Sequence, residues 1–553
     1  MTTPLWCPAS DLIHGLDREK VQITHESSLF SVVPLRGTIP ITFQVRNQME
    51  EPGRWTFRFR CAQGWDQQKQ TLSERVVTVP AKSAKTVRWE IPVFSTTEFT
   101  SSQQQTLRVS VSGPGSPGGV EQQLDSTPTH FYNAGSGVKL VAVSPALTVT
   151  RDNWKYSEFE AEISAQNLPL LLTHFDPEAL PDRVSGLSGM DILMLSDAEW
   201  KDLQARHGLI YEWVAGGGQL LILSDSPAEP QTIGLGSVRS ISPMQTDPFI
   251  AMLQRTPAIQ STLADPDAFT RKQWELFSSV PEIQQSFGWV MLTVLVIACL
   301  LGPLNIWVSF RKRNSLQVIW STPLISLVLS SLVALGIIFS DGFGGKGERA
   351  LRVLLIPDLG VELSVQEQVS RTGVLLKNHF ELPEGTEIYQ VKTDKRRGRS
   401  RVQYTQLAGG GWAGDWFQNR SVQAQVLRRS RRSRAEVILK SGTDAPTVVS
   451  TVDAVFTRLL LRDSEGQCWM AEGVEPGREA PLRRISDREA ENVFADLRTR
   501  NKNLFPGEEA LRRRAWFYGE SVEKDDYIPT LGSVKWSDRP VWFMGPCRME
   551  GGR

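Results

Sequence analysis

The chain has few of the residues that support redox or metal chemistry. Its 553 residues include five cysteines and six histidines, with no CxxC, no HExxH and no histidine pair at metal-ligand spacing. These absences exclude a disulfide-dense scaffold and the common zinc sites. The 61 basic and 61 acidic side chains cancel, so the overall charge gives no reason to expect nucleic acid binding. A hydrophobic content of 40% is typical of a folded chain, and this length predicts several domains.

Short runs of alternating apolar and polar residues dominate residues 1–135. Strand-like runs lie at 41–45, 55–59, 76–79, 87–93 and 106–111. The segments Arg36-Gly37-Thr38 and 79–85, each ahead of such a run, resemble bacterial extracellular immunoglobulin-like modules. The spacing of the runs and this resemblance predict an immunoglobulin-like β-sandwich over residues 1–135.

The periodicity changes in residues 136–245. Four buried-type strands are predicted at 138–143, 170–175, 191–195 and 219–223. Between the last two, Ser196 and Glu199 have the spacing of a helix-capping box. Alternating strands and helices of this length predict a flavodoxin-like or amidotransferase-like α/β domain with a parallel sheet. Residues 246–286 are interpreted as a juxtamembrane connector.

Two runs without charge occupy the middle of the chain. Residues 287–310 and 316–340 contain no ionisable side chain except the cysteine at 299, and Arg311, Lys312 and Arg313 lie between them. A bilayer core requires about 20 apolar residues in a helix, so residues 287–340 are predicted to form a two-helix transmembrane hairpin. The alternative is a buried helix pair in a soluble core. Asn305 is expected to pack between the helices.

The basic turn sets the predicted location. The positive-inside rule places residues 311–313 in the cytoplasm, so we expect the bacterial inner (cytoplasmic) membrane, with both large domains extracytoplasmic. The first 20 residues contain no basic stretch followed by an apolar run. We therefore expect an export leader upstream of the given start, and an inverted topology is the alternative.

Residues 341–553 are predicted to form a β-rich, sandwich-like domain with a late helix after Ser486. Two basic clusters stand out there, as candidate anion-binding residues that would face lipid headgroups or an anionic polymer. The alternative is that each is a solvated hairpin tip. The sequence does not decide whether Cys468 and Cys547 form a disulfide or remain two thiols. The cluster residues are Lys395, Arg396, Arg397, Arg399 and Arg401, then Arg428, Arg429, Arg431, Arg432 and Arg434.

Two resemblances extend these expectations. The segment 213–218, followed by the strand-like run 219–223, resembles the helix end of the class I glutamine amidotransferase-like fold. The segments 302–305, 320–325, 414–416 and 461–466 resemble a group of bacterial envelope proteins of the kind encoded near MoxR-type ATPases and von Willebrand factor A-domain proteins. This second resemblance implies a role in envelope assembly or stress. It implies no catalytic residues.

The expected function is that of a non-enzymatic, membrane-anchored envelope scaffold or binding protein with a degenerate amidotransferase-like domain. No cysteine lies between Cys61 and Cys299, so the nucleophile of the resembled enzymes is absent. His174 and His207 are expected to be structural. The alternative is a membrane-anchored hydrolase or amidotransferase-type enzyme, which would need a polar pocket with a nucleophile at the carboxyl ends of the four α/β strands. The predicted partners are the lipid bilayer and other envelope membrane proteins, with no nucleic acid, no cofactor and no metal.

Overall fold

In the computed structural model, strands account for 51% of the described residues and helices for 19%. The described residues are 11–26, 32–63, 69–93, 105–126, 139–148, 156–165, 170–226, 228–242, 276, 291, 295–311, 320–331, 342–391, 402–440, 445–500, 515–523 and 526–550.

Residues 11–126 form two facing antiparallel sheets. Apolar side chains alternate with exposed ones along the strands, so that each sheet buries one face. Trp55, Phe57 and Phe43 are fully buried between them. One sheet has the order β1-β2-β3-β6 and the other contains β5-β4-β7-β8. The strands are β1 (Asp11–Leu12), β2 (Val21–Glu26), β3 (Thr38–Asn47), β4 (Gly53–Gln63), β5 (Lys69–Val79), β6 (Ala84–Pro92), β7 (Gln105–Gly113) and β8 (Ser116–Ser126).

Residues 139–241 contain a six-stranded sheet of order β10-β9-β11-β12-β14-β13, parallel except for its last strand. The Ser196–Glu199 capping box is present at its third helix. The elements are β9 (Lys139–Val143), α1 (Pro145–Thr148), α2 (Tyr156–Ala165), β10 (Leu170–His174), β11 (Ile192–Ser196), α3 (Asp197–Asp202), α4 (His207–Ala215), β12 (Gln219–Leu223), β13 (Gln231–Ile233) and β14 (Gly236–Ile241), with 3₁₀ turns at Pro177–Ala179, Val184–Leu187 and Gln204–Arg206.

The predicted flavodoxin-like or amidotransferase-like domain is wrong as a description of this region. A doubly wound domain covers its sheet with helical layers, whereas the helices here have only 4, 10, 6 and 9 residues. One face of the sheet, including Leu140 and Leu193, instead joins the same hydrophobic core as the sandwich residues Phe43 and Phe57. The parallel sheet is therefore a small part of a protein that is largely β.

The predicted two-helix transmembrane hairpin is also wrong. Among the described residues, no helix is both long enough and apolar enough to cross a membrane. Helical residues 295–299 run into a π-helical turn at Leu300–Leu304, and α5 (Asn305–Arg311) follows. Pro303 lies inside that turn; because proline lacks an N–H, it interrupts the regular helical hydrogen bonds. The finding also overturns the membrane-anchored description and the predicted inner-membrane location.

Polar contacts hold the two described helical segments of this region together. The side chain of Asn305 is buried and donates from Nδ2 to Thr322 Oγ1 at 2.9 Å. Its Oδ1 accepts from Ser321 Oγ at 2.8 Å. The second segment, residues 320–331, is therefore fixed to the start of α5 by amide and hydroxyl hydrogen bonds.

Residues 342–550 form a ten-stranded sheet, which includes the ladder β18-β21-β16-β15-β30-β28-β24-β25-β27, and a four-stranded sheet, β26-β23-β22-β31. Cys468 and Cys547 are separate thiols. The elements are β15 (Gly345–Ile356), β16 (Val361–Thr372), β17 (Phe380–Glu381), β18 (Thr386–Val391), β19 (Val402–Gln406), β20 (Gly411–Gly414), β21 (Val422–Arg432), β22 (Val437–Lys440), β23 (Thr447–Ser450), β24 (Phe456–Arg462), β25 (Cys468–Val474), β26 (Glu479–Pro481), β27 (Arg483–Arg484), α6 (Asp487–Arg500), β28 (Trp516–Ser521), β29 (Val534–Asp538), β30 (Val541–Pro546) and β31 (Arg548–Met549), with a 3₁₀ turn at Pro357–Leu359.

Three short strands of the C-terminal region complete a sheet of the N-terminal sandwich. Strand β19 adds to β5 in parallel, with Tyr404 opposite Thr71, and β20 and β17 continue the sheet outward. Gln70 Nε2 donates to Gln403 Oε1 at 3.0 Å across this junction. The two ends of the chain are therefore joined by a shared sheet and not only by surface contact.

Candidate functional site

A cavity of about 750 Å³ lies where the N-terminal sandwich, the 181–188 loop of the α/β region and the C-terminal strands β18–β20 meet. We call it the central cleft. Small-molecule sites typically have volumes of about 300–1,000 Å³. Its polar and aromatic lining includes Thr38, Arg75, Arg88, Trp89, Glu90, Asp182, Arg183, Ser185, Glu384, Thr386, Glu387, Tyr389, Gln390, Tyr404, Gln406, Trp412 and Trp416.

The addition of β19 to the sandwich sheet builds one wall of the central cleft. Arg75, on β5, donates from Nη2 to Gln406 Oε1 at 2.6 Å. The same guanidinium donates to the backbone carbonyls of Glu74 at 3.0 Å and Glu90 at 3.3 Å. These three hydrogen bonds fix the position of the planar Arg75 guanidinium in the wall of the cleft.

The 181–188 loop forms a second wall and is fixed to β3 and β6. Thr38 Oγ1 donates to the carbonyl of Ser185 at 2.6 Å, and Thr38 N donates to Ser188 Oγ at 3.2 Å. Ser185 Oγ donates to Glu90 Oε2 at 2.6 Å. Arg88 donates to the backbone carbonyls of Leu180, at 3.0 Å, and Ala179. The loop is thus held by side chains of two paired strands of one sheet.

Two half-buried carboxyl groups, Glu90 and Glu387, face the central cleft. Burial raises the pKa of Glu90, and the negative charge of Glu387 raises it further, against the hydrogen bond from Ser185 and the nearby arginines. Burial likewise raises the pKa of Glu387, against the charge of Arg428 and a hydrogen bond from the Tyr389 hydroxyl. Among the described residues, neither carboxylate has a cation within ion-pair distance. Both groups therefore bind a proton more readily than an exposed glutamate does.

Five aromatic side chains complete the lining. Trp89 packs on Phe57 of the sandwich core, with ring centroids 5.0 Å apart in an edge-on arrangement, and remains half-buried. Trp416 lies 4.4 Å from Tyr404 and 5.5 Å from Trp412, centroid to centroid. Burial raises the pKa of Tyr404 and of Tyr389, so both hydroxyls stay protonated near neutral pH. The central cleft thus combines rigid aromatic rings with planar polar groups.

The histidines singled out in the sequence lie elsewhere. His207 stacks on Trp200 at 3.6 Å between ring centroids, and its Nε2 is 2.8 Å from the Trp200 carbonyl oxygen. His174 lies 5.5 Å from the Tyr156 ring, and burial lowers its pKa. Neither lines the central cleft.

At the carboxyl ends of the parallel strands, two serine hydroxyls are bound to one carboxylate. Ser144 Oγ donates to Glu199 Oε2 at 2.6 Å, and Ser196 Oγ donates to the same oxygen at 2.7 Å. The same glutamate closes the capping box of α3. Both serine hydroxyls therefore belong to the hydrogen-bond network at the start of α3.

The predicted anion-binding residues divide into an undescribed and a described group. Lys395, Arg396, Arg397, Arg399 and Arg401 lie outside the described residues.

The second group lies on or just after β21. Arg428 is buried and lies close enough to Glu387 to lower the pKa of that carboxyl. Arg431 forms ion pairs with Glu362 and, at 3.0 Å, with Asp526. Of the other three members, Arg429 is half-buried, and Arg432 and Arg434 are exposed. Anion binding at this cluster stays a prediction, with one of its cations already paired. In the described part of the chain, no group of three or more His, Cys, Asp or Glu side chains could hold a metal ion.

The residues of the central cleft were missed by the sequence analysis. Glu90 lies in an alternating strand like many surface glutamates, and Glu387 lies almost 300 positions further along the chain. One local signal of the cleft is present in the sequence, the motif 414–416. Its Asp415 accepts from the Gln403 backbone N–H at 2.6 Å. That bond positions Trp416 beside Tyr404.

No protein-family model matches the chain, and no curated protein matches it. Solved structures give distant matches. A Paenibacillus sp. cycloisomaltooligosaccharide glucanotransferase matches at 15% identity and a TM-score of 0.15 over 31% of this chain and 19% of that enzyme. This chain thus spans much less than two thirds of the enzyme's length.

Two further matches are equally distant. The yeast delta-COP-I mu-homology domain, in complex with a Dsl1 WxWxV peptide, matches at 7% identity and a TM-score of 0.19, over 37% of this chain and 95% of that one. A β-D-mannosidase from Dictyoglomus thermophilum matches at 10% identity and a TM-score of 0.16, over 86% and 76%. At these TM-scores none of the three carries an argument about fold or function.

The raised pKa values of Glu90 and Glu387 predict a pH-dependent stability. The unfolded chain loses these protons first as the pH rises through the ordinary glutamate value of 4.5. Stability should therefore fall from that pH until the higher folded-state pKa values are passed. In Glu90→Gln and Glu387→Gln, which keep an acceptor oxygen, part of that fall should disappear. Denaturant midpoints between about pH 4 and pH 8 measure it, and variants whose pH profiles run parallel to that of the wild type would contradict the prediction.

Proposed function

We propose that this chain is a non-enzymatic scaffold or binding protein that holds a small polar ligand in the central cleft. The observation that supports the proposal best is the cleft itself, to which all three regions contribute side chains. A cavity of about 750 Å³ with convergent polar groups is the expected form of a binding site. The transmembrane anchor expected from the sequence is no part of the proposal.

The non-enzymatic part of the proposal is supported by the chemistry of the α/β region. The sequence has no cysteine between Cys61 and Cys299. Ser144 and Ser196, at the strand ends where a nucleophile would be sought, both donate to Glu199. Both hydroxyls are bound to the carboxylate that caps α3, and the proposed binding function rests on the central cleft.

A substitution that fills the central cleft tests the proposal. Gly409 lines the cleft in the turn between β19 and β20, and a Cβ added there meets nothing within 4 Å. Gly409→Trp should therefore fold normally and obstruct the cleft. Gly532→Trp is the matched control, because Gly532 is also exposed and open but does not line the cleft.

The measurement is the thermal midpoint of the full chain with a panel of small molecules: amino acids, polyamines, organic acids, nucleoside monophosphates and saccharides. A ligand at about 100 times its Kd stabilises the folded state by about 2.7 kcal/mol. We expect at least one class to raise the midpoint of the wild type and of Gly532→Trp, and to leave Gly409→Trp unchanged. A panel with no such class would refute the proposal.

A further inference from the structure

We propose that the ligand of the central cleft is a saccharide, bound through its hydroxyl groups by Arg75, Glu90, Glu387 and Gln406 and stacked against Trp89. This inference rests on the proposed function and names the chemical class of its ligand. It is carried by the combination of polar groups, aromatic surface and mixed charge in one cavity.

The polar groups of the central cleft suit a ligand with several neighbouring hydroxyls. A sugar hydroxyl both donates and accepts, so adjacent hydroxyls are matched by planar side chains that offer two polar atoms side by side. Arg75, Glu90, Glu387 and Gln406 are such groups, and all four are half-buried. Arg75 and Glu90 are already held in place, by Gln406 at 2.6 Å and by Ser185 at 2.6 Å. A site built this way binds with little loss of side-chain freedom.

The aromatic surface supplies the second requirement. The faces of a sugar ring carry C–H groups, which pack favourably on an aromatic ring. Trp89 is fixed by its contacts with Phe43 at 5.5 Å and Phe57 at 5.0 Å and is the half-buried aromatic residue of the lining. It therefore offers a rigid apolar surface to the central cleft, whereas Glu90, the next residue in the strand, points to the opposite face of β6 and reaches the cleft beside Ser185.

The charge of the central cleft argues against strongly charged ligands. Its lining contains three arginines and four acidic residues, and two of these are paired with each other, Arg183 with Glu384 at 2.6 Å. A ligand with several phosphates would approach the Glu90 and Glu387 carboxyls, and a polyamine would approach Arg75 and Arg88. A neutral ligand rich in hydroxyls avoids both repulsions.

Polar atoms in the wall add a further argument. Thr386 Oγ1, Gln390 Oε1 and Trp416 Nε1 belong to cleft-lining residues and have no hydrogen-bond partner among the described residues. Leaving such atoms without a partner costs free energy. A hydroxyl-rich ligand that bonds to any of these atoms recovers part of that free energy, whereas an apolar ligand does not.

The test is titration of the full chain with defined oligosaccharides, in which binding is measured by calorimetry and by tryptophan fluorescence. The probes are the neutral trisaccharides maltotriose, cellotriose, xylotriose and chitotriose, with spermidine, inositol hexakisphosphate and glycerol as chemical controls. We expect at least one trisaccharide to bind the wild type and none of the three controls to bind in its place. Gly409→Trp should abolish that binding.

Variants of the lining assign the binding to the central cleft. Trp89→Leu and Gln406→Ala should each raise the dissociation constant of the trisaccharide at least tenfold. Trp536→Leu is the matched control, because Trp536 is also half-buried but lies against Arg349, outside the cleft; its affinity should equal that of the wild type. Since Trp89 contacts the sandwich core, the thermal midpoint of Trp89→Leu is measured too. Gln406 is half-buried and, among the described residues, has no contact with the core rings of the sandwich, so Gln406→Ala keeps the test decisive if Trp89→Leu does not fold.

The outcomes separate this inference from the proposed function. If a non-saccharide binds in a manner sensitive to Gly409→Trp while every trisaccharide fails, the inference is overturned and the binding function stands. Saccharide binding that survives both Gly409→Trp and Gln406→Ala also overturns it, because the sugar then binds elsewhere. If no compound of any class binds, both the inference and the proposed function fail.

Discussion

Replacing Arg36 with methionine is expected to destabilise the protein by about 3–5 kcal/mol. The side chains of Arg36 and Asp191 are only 7% and 1% exposed and form an ion pair. Arg36 lies just before β3 of the sandwich and Asp191 just before β11 of the parallel sheet, so the pair joins two regions of the chain. Asp191 Oδ2 also accepts from the Leu140 backbone N–H at 2.9 Å. Without the arginine, a buried carboxylate would lose one of its cationic neighbours, the other being Lys139.

The measurement is the denaturant midpoint of unfolding, detected by tryptophan fluorescence. Arg58→Met is the matched control: Arg58 pairs with Glu74 at 3.0 Å, but its side chain is 69% exposed, so its loss should cost no more than about 1 kcal/mol. Adding Asp191→Asn to Arg36→Met should recover part of the lost stability, because the buried negative charge is then removed together with the arginine. The prediction is wrong if Arg36→Met and Arg58→Met have the same midpoint.

A single methyl group at Gly236 is expected to cost about 3 kcal/mol. A Cβ built at this position, the first residue of β14, falls far inside van der Waals distance of the backbone oxygens of Gly218 and Val214. Both oxygens belong to the segment that ends α4 and leads into β12, so neither can move without shifting an element of the sheet. Gly236→Ala should therefore strain the region that carries the 181–188 loop.

Gly208→Ala provides the opposite expectation. Gly208 lies in the first turn of α4, and an added Cβ meets nothing within 4 Å. Alanine favours a helix over glycine by up to about 1 kcal/mol, so this variant should be as stable as the wild type or slightly more stable. Denaturant midpoints of the two variants should move in opposite directions. Equal midpoints would contradict the prediction, because they would mean that a Cβ at position 236 fits without a clash.

The destabilising variants and the cleft variants answer different questions. Arg36 joins the α/β region to the sandwich and Gly236 packs within the α/β region, whereas Gly409 and Gln406 line the central cleft. A loss of binding in Gly409→Trp with an unchanged midpoint would therefore concern the site alone. Loss of binding in Arg36→Met would follow from movement of the 181–188 loop, since that loop leads directly into Asp191.

Local patterns in the sequence predict local features well. The alternation around Phe57 follows from a strand with one buried face. The capping box of Ser196 and Glu199 depends on residues three positions apart, and the structure contains it. The apolar runs 287–310 and 316–340 are a different case: their composition predicts two long helices, whereas no helix among the described residues is long and apolar enough to cross a membrane. In the first run, a π-helical turn at Leu300–Leu304 replaces regular α-helix around Pro303.

The sequence by itself determined the strand-forming runs, the capping box and the absence of a cysteine nucleophile between Cys61 and Cys299. Only the tertiary structure decided that β19 adds to β5, which brings Gln406 to within 2.6 Å of Arg75 across 331 positions of chain. The same assembly places Glu387 close enough to Glu90 to raise its pKa. The physical reason is range: periodicity and capping act between residues a few positions apart, whereas a pairing between distant strands leaves no local pattern in either of them.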